Sequence, residues 1–274
     1  MSRSRTNWPA TLALITASLI VFFPLYLTVI IALKTPQDLA QSILGWPDRL
    51  AWENFPRVIE ITGFWNAFAN SFVVTLGAVV LTVMTNSFVA YAISPNMHKR
   101  RFRMLYYYFI SAMFVPFPII MLPIVKLTSD LALGNQGGLV ILYTVYGLAF
   151  NVFLYVGFIG SIPKDLVEAA RIDGCTPWQT FWKVIFPLLM PINATVAILT
   201  CLWAWNDFMM PLVILSKPEM ATLPLVQYNL QSQFNTNHTL AFASYLLAMS
   251  PLLIVYLFAQ RWVIGGVTRG AVKG

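Results

Sequence analysis

Six stretches of this chain contain no Lys or Arg and are long enough to cross a lipid bilayer, which takes about 20 residues in a helix. They fall near residues 10–33, 67–93, 104–125, 138–160, 191–215 and 239–260. Only 10% of all residues are charged, whereas soluble domains carry about a quarter. We therefore predict an all-α membrane protein with six transmembrane helices in one domain, residues 1–274.

The basic residues predict how this protein is oriented. With the N-terminus inside, twelve of the 17 Lys and Arg residues fall on the inner side of the six spans and five on the outer side. Basic residues are retained in the cytoplasm, so both termini are expected inside. The formal net charge of +7 is then explained by topology, and no nucleic-acid partner is needed.

The connection between the fourth and fifth spans, residues 161–187, is rich in charged and helix-breaking residues. Ser161, Pro163 and Asp165 are typical of a helix start, with a hydroxyl cap, an early proline and an acid near the positive end of the helix dipole. Gly174 can adopt the left-handed conformation that ends a helix. We therefore predict a short helix held outside the membrane.

The side chains of this short helix leave two interpretations open. Small Ala169 and Ala170 would let another surface approach closely, and Glu168 would offer a charge to a basic partner. Alternatively, the helix lies on the lipid headgroups, although such helices favour basic polar faces, whereas this one mixes both signs of charge. Composition alone leaves docking and membrane contact about equally favoured.

The spacing of this connection resembles the coupling loop of ABC importer permeases. The match consists of Glu168-Ala169-Ala170, Gly174, Val184 and Phe186-Pro187. The family has Ile and Leu where Val184 and Phe186 stand, and both replacements stay apolar. The resemblance implies a coupling helix that fits a cleft on a cytoplasmic ATPase and transmits the closure of that ATPase to the spans. It assigns this coupling to Glu168, Ala169, Ala170, Gly174 and Pro187.

The glycine-rich C-terminal tail, residues 261–274, resembles that of maltose-type carbohydrate permeases. The resemblance implies that Gly266, Gly270 and Lys273 reach the interface between two ATPase subunits; a frayed basic tail is the alternative. The phosphate-binding pattern Gly-x4-Gly-Lys-Ser/Thr is absent from the sequence. We therefore expect no cofactor on this chain, with ATP and Mg bound by the partner ATPase.

The fifth span contains Trp203, Asn206 and Asp207. An unpaired acid in a membrane is costly, so Asp207 is expected to face the helix bundle or a wet cavity. Trp203 and Asp207 are four residues apart, which places them on one face of a continuous helix. This face could contact sugar in the pathway, or it could clamp neighbouring helices together. The structural role is favoured.

Together, these features resemble the smaller six-span permease subunit of a sugar importer. The resemblance implies a second homologous permease, two cytoplasmic ATPase subunits, an extracellular sugar-binding protein and a bacterial or archaeal cytoplasmic membrane. A di- or oligosaccharide is the expected cargo. One alternative is a permease for another solute, such as a glycerol phosphate. A stand-alone secondary transporter is a second alternative, although Asp207 is the only ionisable residue within the spans.

No catalytic or metal site is predicted. His98 and His238 lie on opposite sides of the membrane in the predicted topology, and neither has a further ligand at metal-binding spacing. The chain is therefore expected to be non-catalytic, with ATP hydrolysis left to its partner.

Overall fold

The computed structural model describes residues 7–233 and 237–271, and within these ranges all regular structure is helical. Three helices are long and apolar enough to cross a membrane, or up to five spans if each of two bent helix pairs is one span. The multi-pass, all-helical prediction is confirmed at this level. The chain separates into two compact units, residues 7–65 with 226–253 and residues 66–225 with 254–271.

The α-helices follow one another along the chain with short connections. They are α1 (Trp8–Ala32), α2 (Pro36–Gln41), α3 (Asn54–Thr62), α4 (Phe64–Ile93), α5 (Arg100–Ala112), α6 (Phe117–Asp130), α7 (Gln136–Ile159), α8 (Lys164–Ile172), α9 (Pro177–Thr180), α10 (Phe186–Leu188), α11 (Met190–Asn206), α12 (Met209–Ile214), α13 (Leu223–Gln233) and α14 (His238–Ala271). A π-helix, Phe181–Ile185, joins α9 to α10, and 3₁₀ turns lie at Ser94–Asn96 and Pro218–Met220.

The first unit holds the connection after α1 in a fixed shape. Lys34 is 1% exposed, and its Nζ donates hydrogen bonds to the carbonyls of Ser42 and Ile43 at the end of α2. The amide of Asn54 donates to the carbonyls of Ala32 and Lys34. These bonds satisfy carbonyls that the ends of α1 and α2 leave without helical partners.

The main core of the second unit joins α4 and α7 to the start of α11. Tyr155, Phe181 and Leu189 are each 0% exposed and belong to one buried cluster with residues of α4 and α11. The connection between α7 and α11 is therefore anchored by large side chains, even though its first part is exposed.

The predicted third span, 104–125, is not one straight helix. α5 and α6 are bent by 104° at the break between them. Pro116 is the N-cap of α6, and Pro118 lies in the first turn of this helix. Proline lacks an N–H and disfavours helical backbone in the residue before it, so these two prolines account for the break.

The fifth and sixth predicted spans also differ from their sequence-based bounds. Within 191–215 the helix ends at Asn206 and resumes at Met209. The last helix does not end near residue 260 but continues to Ala271. Gly266 and Gly270 therefore lie in α14, and Lys273 lies outside the described residues.

Candidate functional site

The exposed helix α8 begins without the predicted hydroxyl cap. Pro163 is its N-cap, with no side-chain bond to the helix. The Ser161 hydroxyl donates instead to the carbonyl of Phe158 in α7, because Ser161 lies two residues too early to reach the first turn. The acid predicted in the first turn, Asp165, is present there.

Gly174 ends α8 as predicted. Its φ is +81°, a conformation that strains any residue with a Cβ. The amide of Gly174 donates to the carbonyl of Arg171 across 3.0 Å, and that of Cys175 donates to the carbonyl of Ala170 across 2.9 Å. This pair of bonds is the Schellman motif, which satisfies the last carbonyls of a helix.

The chain turns directly into a second helical leg after Cys175. The hydroxyl of Thr176 accepts from the amide of Gln179, and the side chain of Gln179 accepts from the amide of Thr176. This capping box starts α9, and the π-helix carries the leg on to Pro187 in α10. This second leg is helical from Pro177 to Leu188.

The three motif residues on α8, Glu168, Ala169 and Ala170, do not share one environment. Glu168 and Ala169 are exposed, but Ala170 is only 6% exposed. Ala170 therefore packs within this chain, and its expected role of admitting another surface is wrong, because its side of the helix faces the protein. Ile172, which the sequence analysis did not single out, is 86% exposed; an apolar residue between the charged Arg171 and Asp173 was the available signal.

A cleft of about 970 Å³ separates α8 and α9 from the C-terminal end of α4 and the start of α5. The α8 residues that line it are Lys164, Val167, Glu168 and Arg171. At 100° per residue these four share one face of the helix, whereas Asp165, Ala169 and Ile172 lie on another. The helix thus has one face toward the cleft and one directed away from it.

The second candidate site lies at the break between α11 and α12. Asp207 has extended backbone, with a ψ of 131°, and lies beyond the last residue of α11. Its carboxylate accepts hydrogen bonds from the amides of Met209 and Met210 and from the Tyr143 hydroxyl. The prediction that Trp203 and Asp207 share a helix face is wrong, because Asp207 caps the next helix instead.

Trp203 is held by two tyrosines of α7 that the sequence analysis missed. Its ring lies 5.5 Å from that of Tyr146, stacked, and 5.1 Å from that of Tyr143, edge-on. The Tyr146 hydroxyl also contacts the carbonyl of Val115, at the break before α6. Two interruptions of the helices therefore meet at Tyr146 and Trp203. Nothing in the apolar sequence around either tyrosine distinguishes it from an ordinary core residue.

Asn206 is the exposed polar residue at this break. Its amide nitrogen donates to the carbonyl of Leu202 one turn earlier. Of the three residues predicted for the pathway, Trp203 and Asp207 are engaged within the chain, and Asn206 is the one with an exposed side chain.

Two other polar residues within the spans, Asn70 and Asn193, bond to neighbouring segments of the bundle. Asn70 donates to the carbonyls of Glu219 and Ala221 and accepts from Gln136. Asn193 on α11 accepts from the Tyr155 hydroxyl on α7 across 2.8 Å. These contacts tie helices to each other and to the loop after α12.

Comparison with known proteins identifies the family. Residues 86–269 match the model for the binding-protein-dependent transport system inner membrane component. The chain is 40% identical over 258 residues to the multiple sugar-binding transport system permease protein MsmG of Streptococcus mutans, covering 93% of each. It is 32% identical to the probable starch degradation products transport system permease protein AmyC of Thermoanaerobacterium thermosulfurigenes, covering 94% of each.

A solved structure shares the fold. It is a bacterial ABC transporter involved in the import of the acidic polysaccharide alginate, with a TM-score of 0.79 and 25% identity. The alignment covers 95% of this chain and 98% of that one. The resemblance to ABC importer permeases is thereby confirmed. The chain belongs to the family of binding-protein-dependent transport system inner membrane components, the non-catalytic permease subunits of ABC importers.

Proposed function

We propose that this chain is a permease subunit of an ATP-driven importer for di- or oligosaccharides and forms half of its translocation pathway by alternating access. Two relatives are named as permeases for sugars or starch products, and the structural neighbour serves import of a polysaccharide. Carbohydrate is therefore the cargo class best supported.

The proposal includes the partners that the architecture requires. A second, homologous permease completes the pathway, two cytoplasmic ATPase subunits bind ATP and Mg, and an external sugar-binding protein delivers cargo. This chain itself binds no cofactor. It spans a bacterial or archaeal cytoplasmic membrane six times with both termini inside, and Gly266, Gly270 and Lys273 belong to the tail that would contact the ATPase interface.

The observation that carries the proposal is the construction of α8. A nine-residue helix is exposed along most of its length and closed by a Schellman motif. A short hydrogen-bonded turn connects it to the second helical leg, and buried aromatic rings anchor that leg in the core between α4 and α7. A short helix of this kind can receive a push from a cytoplasmic partner and pass it to α11. Ala169 and Ile172 point away from the cleft and are available to that partner, and Glu168 is exposed on the cleft side of the same helix. Gly174 and Pro187 shape the two legs.

The pathway is proposed to run past the breaks at Val115 and Asp207. Non-helical backbone at membrane depth is tolerated only where protein covers it or where it lines a water-filled cavity. Discontinuous helices commonly form transport sites for this reason. Asn206, exposed at one break, is the side chain positioned to bond a sugar hydroxyl there.

The test is purification of the assembled complex in mild detergent, with subunit stoichiometry read by mass. Glu168→Lys reverses a charge on α8. Glu60→Lys makes the same change at an exposed position of α3, outside the coupling loop. We expect the wild type and Glu60→Lys to retain an ATPase and a second permease, and Glu168→Lys to lose the ATPase.

Recovery of the chain alone, with transport intact, would contradict the importer and favour a stand-alone transporter. Cargo is tested separately, by uptake of labelled oligosaccharides against glycerol phosphate in vesicles that contain the complex. Uptake of glycerol phosphate with no sugar uptake would leave the permease assignment standing and overturn the cargo.

A further inference from the structure

The cleft between α8 and the α4–α5 connection has the chemistry of an amphiphile site. Its apolar lining includes Phe88, Tyr91, Phe102 and Trp178, and its basic lining includes the residues His98, Lys99, Lys164 and Arg171. Glu168 is the only acidic residue that lines it. A ligand that fills it should combine a hydrocarbon portion with negative charge.

Among the side chains that the structure describes, the cations of this cleft form no ion pair with a carboxylate; the one ion pair there joins Arg49 and Glu53, far from the cleft in sequence. Lys99 donates to the side-chain oxygen of Asn96 and lies 5.9 Å from the centre of the Phe102 ring. Lys164 and Arg171 project from the α8 face that borders the cleft. With Lys99 they outnumber Glu168 three to one, so the cleft carries an excess of positive charge.

The position of the cleft along the spans indicates which kind of molecule supplies the negative charge. It is lined by the last turns of α4, by Ile159 at the end of α7 and by the first residues of α5, where the apolar helices leave the hydrocarbon layer. Arg100, Arg101 and Arg103 continue the basic run into α5. Basic pockets between spans on the cytoplasmic side bind anionic lipid headgroups.

We propose that this cleft binds an anionic phospholipid of the inner leaflet. The phosphate lies among Lys99, Lys164 and Arg171, and the start of the acyl chains lies against Phe88, Phe102 and Trp178. The lipid would bridge α8 to the α4–α5 connection and so brace the coupling helix from the side opposite Ala169 and Ile172. This regulatory role rests on the proposed function of α8, whereas lipid binding itself does not.

The two faces of α8 allow a lipid and a protein partner to bind at different places on this helix. The outward face of α8, with Asp165, Ala169 and Ile172, stays free when the cleft is filled. A partner that docks on that face, and that also pairs with the exposed Glu168, would share only this residue with the lipid site. Both can be present in one complex.

The test measures lipid carried by the purified complex. The complex is delipidated and placed in nanodiscs of phosphatidylcholine with or without phosphatidylglycerol, and retained lipid is read by native mass spectrometry after release. The variant Lys99→Gln/Arg171→Gln removes two charges from the cleft. The control Arg103→Gln/Lys183→Gln removes two exposed cytoplasmic charges that do not line it.

We expect the cleft variant to hold phosphatidylglycerol about thirtyfold more weakly, since each of the two basic residues near an anionic surface contributes about 1 kcal/mol. The control should stay within about twofold of the wild type. Phosphatidylcholine should be retained equally weakly by all three proteins. Val167→Phe, which fills the cleft without changing charge, should also lower phosphatidylglycerol retention.

Three outcomes would overturn the proposal. An equal loss of phosphatidylglycerol from the cleft variant and from the charge control would mean that retention depends only on the net charge of the protein. Displacement of phosphatidylglycerol by millimolar inorganic phosphate would assign the site to free anions. Unchanged lipid retention in the cleft variant, with the ATPase lost, would make the cleft a protein contact. Subunit content is read in the same spectra, so failure of lipid binding is distinguishable from failure of the proposed importer.

Discussion

The Tyr143 hydroxyl donates a hydrogen bond of 2.9 Å to Oδ2 of Asp207, which joins the middle of α7 to the break between α11 and α12. Tyr143 is 0% exposed, and the same carboxylate caps the first turn of α12. One acid thus satisfies two helix-end amides and one buried hydroxyl, which explains how a carboxylate is accommodated within an apolar bundle.

The Tyr143–Asp207 bond should be measurable as a coupling energy. Tyr143→Phe, Asp207→Asn and the double variant form a cycle in which we expect about 0.6–1.7 kcal/mol of coupling, as for hydrogen bonds between membrane helices. Unfolding of the complex in mixed micelles gives the three differences. Tyr108→Phe removes a phenol that is 69% exposed and serves as the control. If the changes in unfolding free energy of the two single variants add up to that of the double variant, the bond contributes nothing to stability.

Gly174→Ala should destabilise the coupling loop, because the alanine would have to adopt a φ of +81°, at a cost of about 1–2 kcal/mol. Gly157→Ala is the matched control, since a Cβ at this α7 position meets nothing within 4 Å and alanine favours a helix. Thermal unfolding of both variants checks the difference. Equal melting temperatures would mean that the loop relaxes around residue 174.

Gly138→Ala should prevent correct folding of the start of α7. A Cβ there would lie 1.9 Å from the carbonyl oxygen of Leu133, whereas one at the neighbouring Gly137 would meet only the Asn135 side chain at 3.2 Å. Because backbone must shift in the first case, we expect a loss of about 1–3 kcal/mol or more. Membrane yield and thermal unfolding of the two variants provide the comparison; similar behaviour would argue against this tight turn.

Asn206→Ala should lower sugar uptake while leaving assembly intact, because Asn206 is exposed at the break and bonds only within its own helix turn. Trp203→Leu should instead lower the stability of the complex, since it removes the contacts with Tyr143 and Tyr146, worth about 0.5–1.5 kcal/mol per aromatic pair. Vesicle uptake and unfolding separate the two effects. Thr16→Ala, which removes a similar turn-bonded polar group from α1, is the control. If the Asn206→Ala variant takes up sugar normally, the Asn206 side chain has no role in the pathway.

The parts of this molecule that follow from local rules were predictable. Apolar runs marked α1, α4 and α7 to within three residues, the prolines at 116 and 118 marked the break before α6, and Gly174 marked the end of α8. Each of these depends on hydrophobic length or on the backbone preference of a single residue.

The errors arose where one local rule competed with another. Asp207 fitted a helix face by its spacing from Trp203, but it also stands two residues before Met209, where its carboxylate accepts from the first amides of α12, and this second arrangement prevailed. Ala170 belongs to the motif yet packs inward, because the direction in which α8 lies on the core is set by tertiary contacts. The pairing of Tyr143 and Tyr146 with Trp203 is likewise a tertiary fact.

The Schellman motif at Gly174 and the capping box that begins at Thr176 leave only Cys175 between them. Two helical legs that are joined by residues 173–176, with hydrogen bonds closing both ends, should behave as a bent strut and not as a tether. A tether transmits only tension and absorbs compression as slack. A strut transmits both, so we expect inward and outward displacements of Ile172 to reach Leu189.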